Sequence, residues 1–498
     1  MLLNDKDLVS FRAACKAAQD AVEGDAGALW RRRFFAWFET PQFQLTGQRK
    51  VDLANFKVKY QQRKAVLHVI KQIFQIRGNA KPTLSFDTGR RRKEQAALRV
   101  LRDLINGVQL PISNHFLEDT ANIKTEAFSD KQAGDIQYNS KNLKRVAEFI
   151  QKTNILKILG KDGRDYFALK PSELPHHHTS LLYTIQCVLA PLLFCFDDWH
   201  MKDQSGFHEA QKMVYLDNIT APILTGLNGQ SVNMTWLLKN IQFWRYHFLT
   251  VGEPLCPHFE GLEDNQRPDF WASQLRQGTR RLGFHWKGSY AFVDRAEIQI
   301  IRKGESGQGH NPQIQDKLNG EEDPDSPFQS VDLALCSTDD SSTWNRDFER
   351  HLNSLKTPKT KDARTRAQKS ATGGPSNGEV DFATSSYRFD GDGNDYEEEF
   401  HMQGWLNPLP PQNGIPGWQR VTMMKYFVDK YDSIDMEALW AYEGIMFPGG
   451  MIMMGRWWCP TDGVGEEMYS GPFVLWNVPC DNECVCADHN EFGDGMGV

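Results

Sequence analysis

The spacing of hydrophobic residues along this chain changes once. Up to about residue 275 they recur every three or four positions, as on the buried stripe of an amphipathic helix. From Trp286 they alternate every second position, as on half-buried strands. Near the N-terminus Leu8, Phe11 and Cys15 keep the helical spacing, with Asp5 and Asp7 where a first turn favours acids. A second helix is predicted over residues 29–38, stopped by Pro41, and others over 57–76, 93–105 and 142–159. In the helix at 57–76, Val66, Val69, Ile70, Ile73 and Phe74 share a face. The apolar run 181–196 contains Gln186 and Pro191 and falls short of the ~20 residues of a membrane span. It reads as a buried core helix. One strand pair is expected near 165–169.

Beyond Trp286, WKGSYAFV and EIQIIR are both predicted as strands. From Phe389 the alternation returns in EFHMQGWLNP, GWQRVTMMKYFV, LWAYEGIMFPGG, MIMMGRWWCP and GPFVLWNVP, each bounded by Gly, Pro or Asn-Gly. About eight such strands predict a meander that closes into a small barrel. Residues 303–327 and 355–380 have too few large apolar side chains to offset their ordering entropy and are expected to be mobile loops. Gly449-Gly450 between two apolar runs predicts a tight hairpin with positive φ at both glycines. Its register sets Glu443 opposite Arg456, Tyr442 opposite Trp457 and Trp440 opposite Cys459. One face then carries Ala441, Glu443, Ile445, Met454, Arg456 and Trp458, and the other Trp440, Tyr442, Gly444, Met453, Gly455 and Trp457. Two assignments remain open: Glu443 and Arg456 line the interior, or they form an exterior ion pair while the two glycines mark a packed inside. Lys425 has no short turn to fix its register.

The expected fold is α+β: N-terminal helices over 1–45, a mainly helical scaffold over 46–280, an antiparallel barrel over 281–480 and a flexible tail over 481–498. A formal charge of −7 on 498 residues is mild, and no basic stripe is long enough to neutralise many phosphates, so a nucleic-acid binder is not expected. The short clusters Arg31–Arg33 and Arg90–Lys93 read as solvated helix ends. An odd count of nine cysteines, the first six scattered, and no apolar leader in MLLNDKDLVS imply reduced thiols in the cytosol or nucleus. Cys480, Cys484, Cys486 and His489 are zinc-type ligands at a spacing that fits no structural zinc site, so a free tail is expected. His176-His177-His178 reads as loop, and Asp197-Asp198-Trp199-His200 as a capped helix end with no nucleophile beside it. Gly391–Asp395 lacks the acid order of a calcium loop and reads as a turn. Phosphate-binding and nucleophile-elbow motifs are missing from the sequence. The expectation is a non-enzymatic protein with no catalytic residue, no metal and no cofactor.

Two stretches carry a resemblance. Asp7-Leu8-Val9-Ser10-Phe11-Arg12-Ala13-Ala14-Cys15-Lys16, followed by Leu29-Trp30, resembles the second half of an F-box, without the usual opening Leu-Pro-x-Glu. FDGDGNDYEEEFHMQGWLNP, VTMMKYF, LWAYEGIMFPGGMIMMGRWW and SGPFVLW, with Trp286-Lys287-Gly288-Ser289-Tyr290 as opening strand, resemble the lipocalin-like β-barrel module of fungal F-box proteins. They are also similar to the barrel of the cyclin-binding F-box family. The resemblance implies a substrate receptor of an SCF-type ubiquitin ligase. Skp1, and through it a cullin, would be bound by Leu8, Phe11, Cys15, Leu29 and Trp30, and an unknown protein substrate by the barrel. The barrel residues expected to meet substrate are Trp286, Tyr290, Tyr442, Glu443, Arg456 and Trp458. With Trp440 and Trp457, these aromatics either form a pocket at the mouth or fill the core. A barrel binding module without a ubiquitin role is the alternative.

Overall fold

The alternation read after Trp286 is realised as one continuous antiparallel sheet whose first and last members pair. The structure, a computed structural model, describes residues 5–23, 28–39, 55–72, 74, 88–107, 140–156, 176–189, 194, 206–226, 229–268, 282–303, 314–319, 328–336, 344–354, 386–395, 398–431, 433–461 and 468–478. The strand pair expected near 165–169, most of the two inserted loops, the Asp197–His200 cluster and the cysteine tail lie outside these residues. Among the described residues, those up to Ile185 belong to one compact unit and those from Gln186 onward to a second.

The first unit is helical: α1 (Asp5–Ala14), α2 (Lys16–Glu23), α3 (Ala28–Trp37), α4 (Asn55–His68), α5 (Thr88–Ile105), α6 (Lys141–Lys152) and the start of α7 (His176–Val188). The helix expected over 57–76 ends early, because a 3-10 turn at Ile70–Gln72 and a positive φ at Phe74 redirect the chain. Phe34, Phe38, Phe56, Tyr60 and Trp30 form its aromatic core, with Trp30 6.1 Å from the Tyr60 ring. The start of α6 is tied down by Ser140, whose hydroxyl caps Leu143 N–H, and by Asn142, whose side chain bridges Glu39 and Gly107. Arg33, read as a solvated helix end, is instead buried and paired with Asp5.

The second unit holds the end of α7, then α8 (Phe207–Tyr215), a short hairpin of β1 (Leu224–Thr225) and β2 (Ser231–Val232), α9 (Met234–Leu249) and α10 (Leu255–Gly261). The barrel follows: β3 (His285–Phe292), β5 (Gln329–Leu335), β6 (Tyr387–Asp395), β7 (Glu398–Pro408), β8 (Gln419–Tyr426), β9 (Trp440–Met446), β10 (Ile452–Trp458) and β11 (Ser470–Asn477). Each pairs with the next and β11 returns to β3, so eight strands close the barrel. The two-residue β4 (Lys317–Leu318) hangs on the end of β3, and α11 (Arg295–Lys303) and α12 (Arg346–Leu352) lie in the connections.

Three local expectations are corrected. His176-His177-His178 opens helix α7 and is not loop. EIQIIR is helix α11, not a strand. The Glu297 carboxylate reaches back to the start of the helix and accepts from Asp294 N–H at 3.3 Å, and Ile298 and Ile301 are buried one turn apart. Gly391–Asp395 is not a turn but the end of β6, since its glycines give room to facing side chains. The hairpin register is as expected, with Glu443 opposite Arg456 and Tyr442 opposite Trp457. Gly449 and Gly450 have φ of 102° and 71°. The bond from Gly450 N–H to Phe447 C=O, at 2.9 Å, centres the turn on Pro448 and Gly449.

The barrel interior is packed solid by pairing glycines with large side chains. Phe400 lies over its cross-strand partner Gly393, Phe389 over Gly404, Phe473 over Gly455 and Trp457 over Gly471. A Cβ at Gly455 would lie 2.1 Å from the Glu443 carbonyl oxygen, a backbone atom that no rotamer change can move. Outside, α9 covers β10, with Trp236 over the Arg456 guanidinium and Asn240 donating to Gly455 C=O at 3.2 Å. Helix α12 packs on β8 and β9 through Phe348 and Leu352.

A buried polar cluster joins α8, α9 and the segment before β4. Asp316 accepts from Tyr215 Oη at 2.8 Å and Gln211 Nε2 at 2.9 Å. His247 Nδ1 is 2.8 Å from Glu253, while Nε2 lies 3.3 Å from Asp316 in an ionic contact too poorly aligned for a hydrogen bond. Burial opposes the imidazolium, but the two flanking carboxylates outweigh it and hold the His247 pKa above its ordinary value.

Gly455→Ala lowers stability by about 1–3 kcal/mol through unrelieved overpacking. Gly261→Ala, whose added methyl meets nothing within 4 Å, changes it by less than about 1 kcal/mol. Urea midpoints at matched m-values measure both. Because folded His247 holds its proton more tightly than unfolded, its contribution is complete below the unfolded pKa of 6.5 and fades as pH rises through the folded value. Wild-type stability therefore declines as pH rises above about 6.5 more steeply than that of His247→Gln, as thermal melts on either side of that pH will show.

Candidate functional site

The period of β8 points Val421, Met423 and Lys425 inward, and that of β9 and β10 points Trp440, Tyr442, Met453 and Trp457 inward. At one end of the barrel the C-terminal ends of β3, β8 and β10 meet the N-terminal ends of β7, β9 and β11. Tyr290, Phe292, Phe427, Trp440 and Tyr469 gather there, all half-buried, while Trp457 and Phe400 beneath them are fully buried.

Trp457 organises this mouth. Its indole N–H donates to Ala291 C=O at 3.1 Å, which fixes the ring. Tyr469, Trp440 and Tyr290 stand edge-to-face around it at 5.3, 5.4 and 6.2 Å. Lys425 lies among the rings, 3% exposed, with Nζ 4.1 Å from the Phe400 centroid, 5.5 Å from Phe427 and 5.6 Å from Tyr290. The Arg295 guanidinium sits 5.1 Å over Tyr469. Around the rim, Val428, Tyr431, Met436 and Met468 are exposed. The mouth is thus an apolar, aromatic surface with two cations already on its ring faces.

The expected substrate-binding residues divide between three places. Tyr290 is at the mouth. Trp286 and Tyr442 are interior core: Trp286 donates to Gly283 C=O at 2.8 Å, and Tyr442 packs 5.2 Å from Phe473. Glu443, Arg456 and Trp458 are on the outer face, where Trp458 packs against the α12 cluster. Of the two assignments left open by the hairpin, the glycine face is therefore the inside. Nor do Glu443 and Arg456 form an ion pair. Glu443 accepts from Arg420 Nε at 2.7 Å. Arg456 donates to Asn218 Oδ1 at 3.3 Å and to the Ala221 carbonyl at 3.1 Å, and burial pulls its pKa down to about 10. Phe292, Phe400, Phe427 and Tyr469 were not anticipated. Lys425, whose register the sequence left open, stands two residues after Met423 and four after Val421 in VTMMKYF and so shares their face.

The residues expected to dock Skp1 divide as well. Leu8 and Trp30 are buried within the helical unit, at 4% and 7% exposure, which corrects the expectation that they await a partner. Phe11 and Cys15 are exposed and Leu29 is half-buried. Beside Phe11, Val9 is 65% exposed.

Among the described residues, no group of three or more His, Cys, Asp or Glu side chains is placed to hold a metal, and no helix is long and apolar enough to cross a membrane. The chain matches no family model, and neither a curated protein nor a solved structure matches it at a significant level.

The outer-face geometry predicts that a double-mutant cycle between Arg420 and Glu443 gives a coupling about 1 kcal/mol larger than one between Arg456 and Glu443. Chemical denaturation of the four variants in each cycle measures it.

Proposed function

We propose that this chain is a binding protein without bond-making chemistry, and that the aromatic mouth of its barrel receives the ligand. The observation that carries this reading is the contrast between a solid interior and a rim of rings left half in water. Half-burying five large aromatics forgoes apolar burial that covering them would recover. Because cross-strand rings fill the space below, a ligand is read at the mouth rather than swallowed by the barrel. Ligand-observed NMR with a library of neutral, anionic and cationic aromatic fragments tests this. Fragments should bind the full-length protein and lose binding to Trp440→Ala and Tyr469→Ala. Binding that neither substitution affects would overturn the site.

A second reading, in which the chain is an F-box substrate receptor of an SCF-type ubiquitin ligase, is favoured by Val9 and Phe11. They are exposed apolar side chains on α1, inside the stretch that resembles an F-box. In this reading the barrel presents a protein substrate to the ligase and raises its effective concentration there. Leu8 and Trp30 are unsuitable probes, since truncating either opens the helical core. The decisive comparison is co-purification of Skp1 with wild type and with Val9→Ser/Phe11→Ser. Retention by wild type and loss in the double variant support the receptor. Failure of wild type to retain Skp1, or equal retention by both, removes it.

A further inference from the structure

The mild charge of the whole chain is the sum of two opposite parts. Up to Ile185, Lys and Arg outnumber Asp and Glu by 31 to 19, a net charge of +12. From Gln186 on the balance is 26 to 45, a net charge of −19. Segregation of this size marks the positive part for a polyanionic partner. We infer that the helical unit binds a nucleic acid through its phosphate backbone, without reading base sequence, on a basic face built by α4 and α6. That face is separate from the barrel mouth.

The cations of this face stand at helical spacing, so no basic run in the sequence displays them. On α6, Lys141, Lys144, Arg145 and Lys152 fall at i, i+3, i+4 and i+11, while Leu143, Val146, Phe149 and Ile150 bury the opposite side. On α4, Lys57, Lys64 and His68 fall at i, i+7 and i+11. Trp37 joins the two rows. Lys64 Nζ lies 3.4 Å and the Arg145 guanidinium 4.6 Å from its ring centroid, which holds both head groups at the surface.

Acids are present, but they are shared. Glu148 meets both Arg145, at 2.7 Å, and Lys152. Asp5 lies 3.8 Å from Lys64 and also pairs with Arg33. Glu23 takes Lys57 at 2.6 Å and Arg12 at 2.7 Å. Glu39 caps the start of α6, accepting from Ser140 Oγ and Lys141 N–H. Four carboxylates thus serve eight cations, and an excess of about four positive charges stays on the face whatever the pairing.

Three kinds of partner carry the matching sign, and the face suits one of them. An anionic membrane is gripped by a helix that also inserts an apolar side. The outward positions of α6 are Lys141, Lys144, Arg145, Glu148, Gln151 and Lys152, with nothing apolar among them. The centre of a protein interface is poor in lysine, because its flexible, strongly hydrated ammonium is costly to bury. A phosphate backbone accepts solvated, mobile ammonium groups and gains from releasing its own counterions. Contacts of that type position a nucleic acid but carry no sequence information.

The test is fluorescence anisotropy of the full-length protein with two labelled DNA duplexes of unrelated sequence. At about 0.15 M salt both should bind with a Kd in roughly the micromolar range and within about threefold of each other. The logarithm of affinity should fall with the logarithm of salt at a slope of about −3 to −4, from four phosphates at about 0.9 each. Lys144→Glu/Lys152→Glu should weaken binding about tenfold or more and flatten the slope by about 2. Lys212→Glu/Arg350→Glu removes the same charge from exposed positions of the second unit and should change affinity less than about twofold. If the first variant does not fold, Lys144→Gln/Lys152→Gln should give a smaller loss in the same direction, and the salt slope on wild type needs no variant. Equal loss in the two reversal variants overturns the face as the site. A strong preference for one duplex overturns backbone reading. Absence of duplex binding at that salt overturns the inference, whether the protein then binds phosphatidylserine vesicles, polyglutamate or neither.

Discussion

The barrel depends on a steric bargain repeated around its inner face: a glycine on one strand gives its volume to a large apolar side chain directly across. Phe400 over Gly393, Phe389 over Gly404, Phe473 over Gly455 and Trp457 over Gly471 are the clearest cases, and Leu475 facing Gly288 and Leu333 facing Gly391 repeat the pattern with aliphatic residues. An interior glycine normally weakens a strand, because it is flexible and packs nothing. An aromatic partner across the ladder restores both burial and order. Since the added methyl at several of these positions would strike backbone, the pairs also fix register: a shift by one residue would drive rings into carbonyls.

That interior determines where recognition is possible. Among the described residues the barrel interior is lined by its own large side chains, which places the proposed recognition at an end. One end carries the half-buried aromatics around Trp457, with Lys425 held among rings below the surface. The outer face is partitioned by cover. Where α9 and α12 pack, exterior strand residues such as Arg456 and Met424 are buried. On β3 and β5 to β7 most outer positions are polar, as in the pairs His285–Asp332 and His401–Asp392, both at 2.6 Å. Arg456 illustrates how cover overrides register. It faces Glu443 across the ladder, yet it turns to the Ala221 carbonyl and the Trp236 ring, while Glu443 takes Arg420.

The helical unit follows a different rule. Its apolar positions are shared between an inner aromatic cluster and a few outward residues on α1. Helical spacing at Leu8, Phe11 and Cys15 predicts one face, but Leu8 is inside whereas Phe11 and Cys15 are outside. The Asp5 carboxylate accepts from Tyr60 Oη at 2.8 Å and pairs with Arg33, which draws the start of α1 onto α3 and α4 and takes Leu8 with it. Burial and that proton-donating role push the Tyr60 pKa up to about 12.

The sequence by itself determined which segments alternate and where they break, so the strands from Phe389 onward and the pairing of Glu443 with Arg456 were legible from period and turn glycines. It also determined that Lys425 shares a face with Val421 and Met423. Two things it left open belong to tertiary structure. A period of two names two faces without saying which is inside, and only closure of the sheet turned Gly444 and Gly455 inward and Glu443 and Arg456 outward. The short run EIQIIR satisfies both periods, and the choice fell to a helix whose Glu297 accepts from Asp294 N–H at its start and which buries Ile298 and Ile301. The mouth is likewise a product of closure. Its aromatic residues lie far apart in sequence on separate strands and loops, and they meet only because β11 returns to β3.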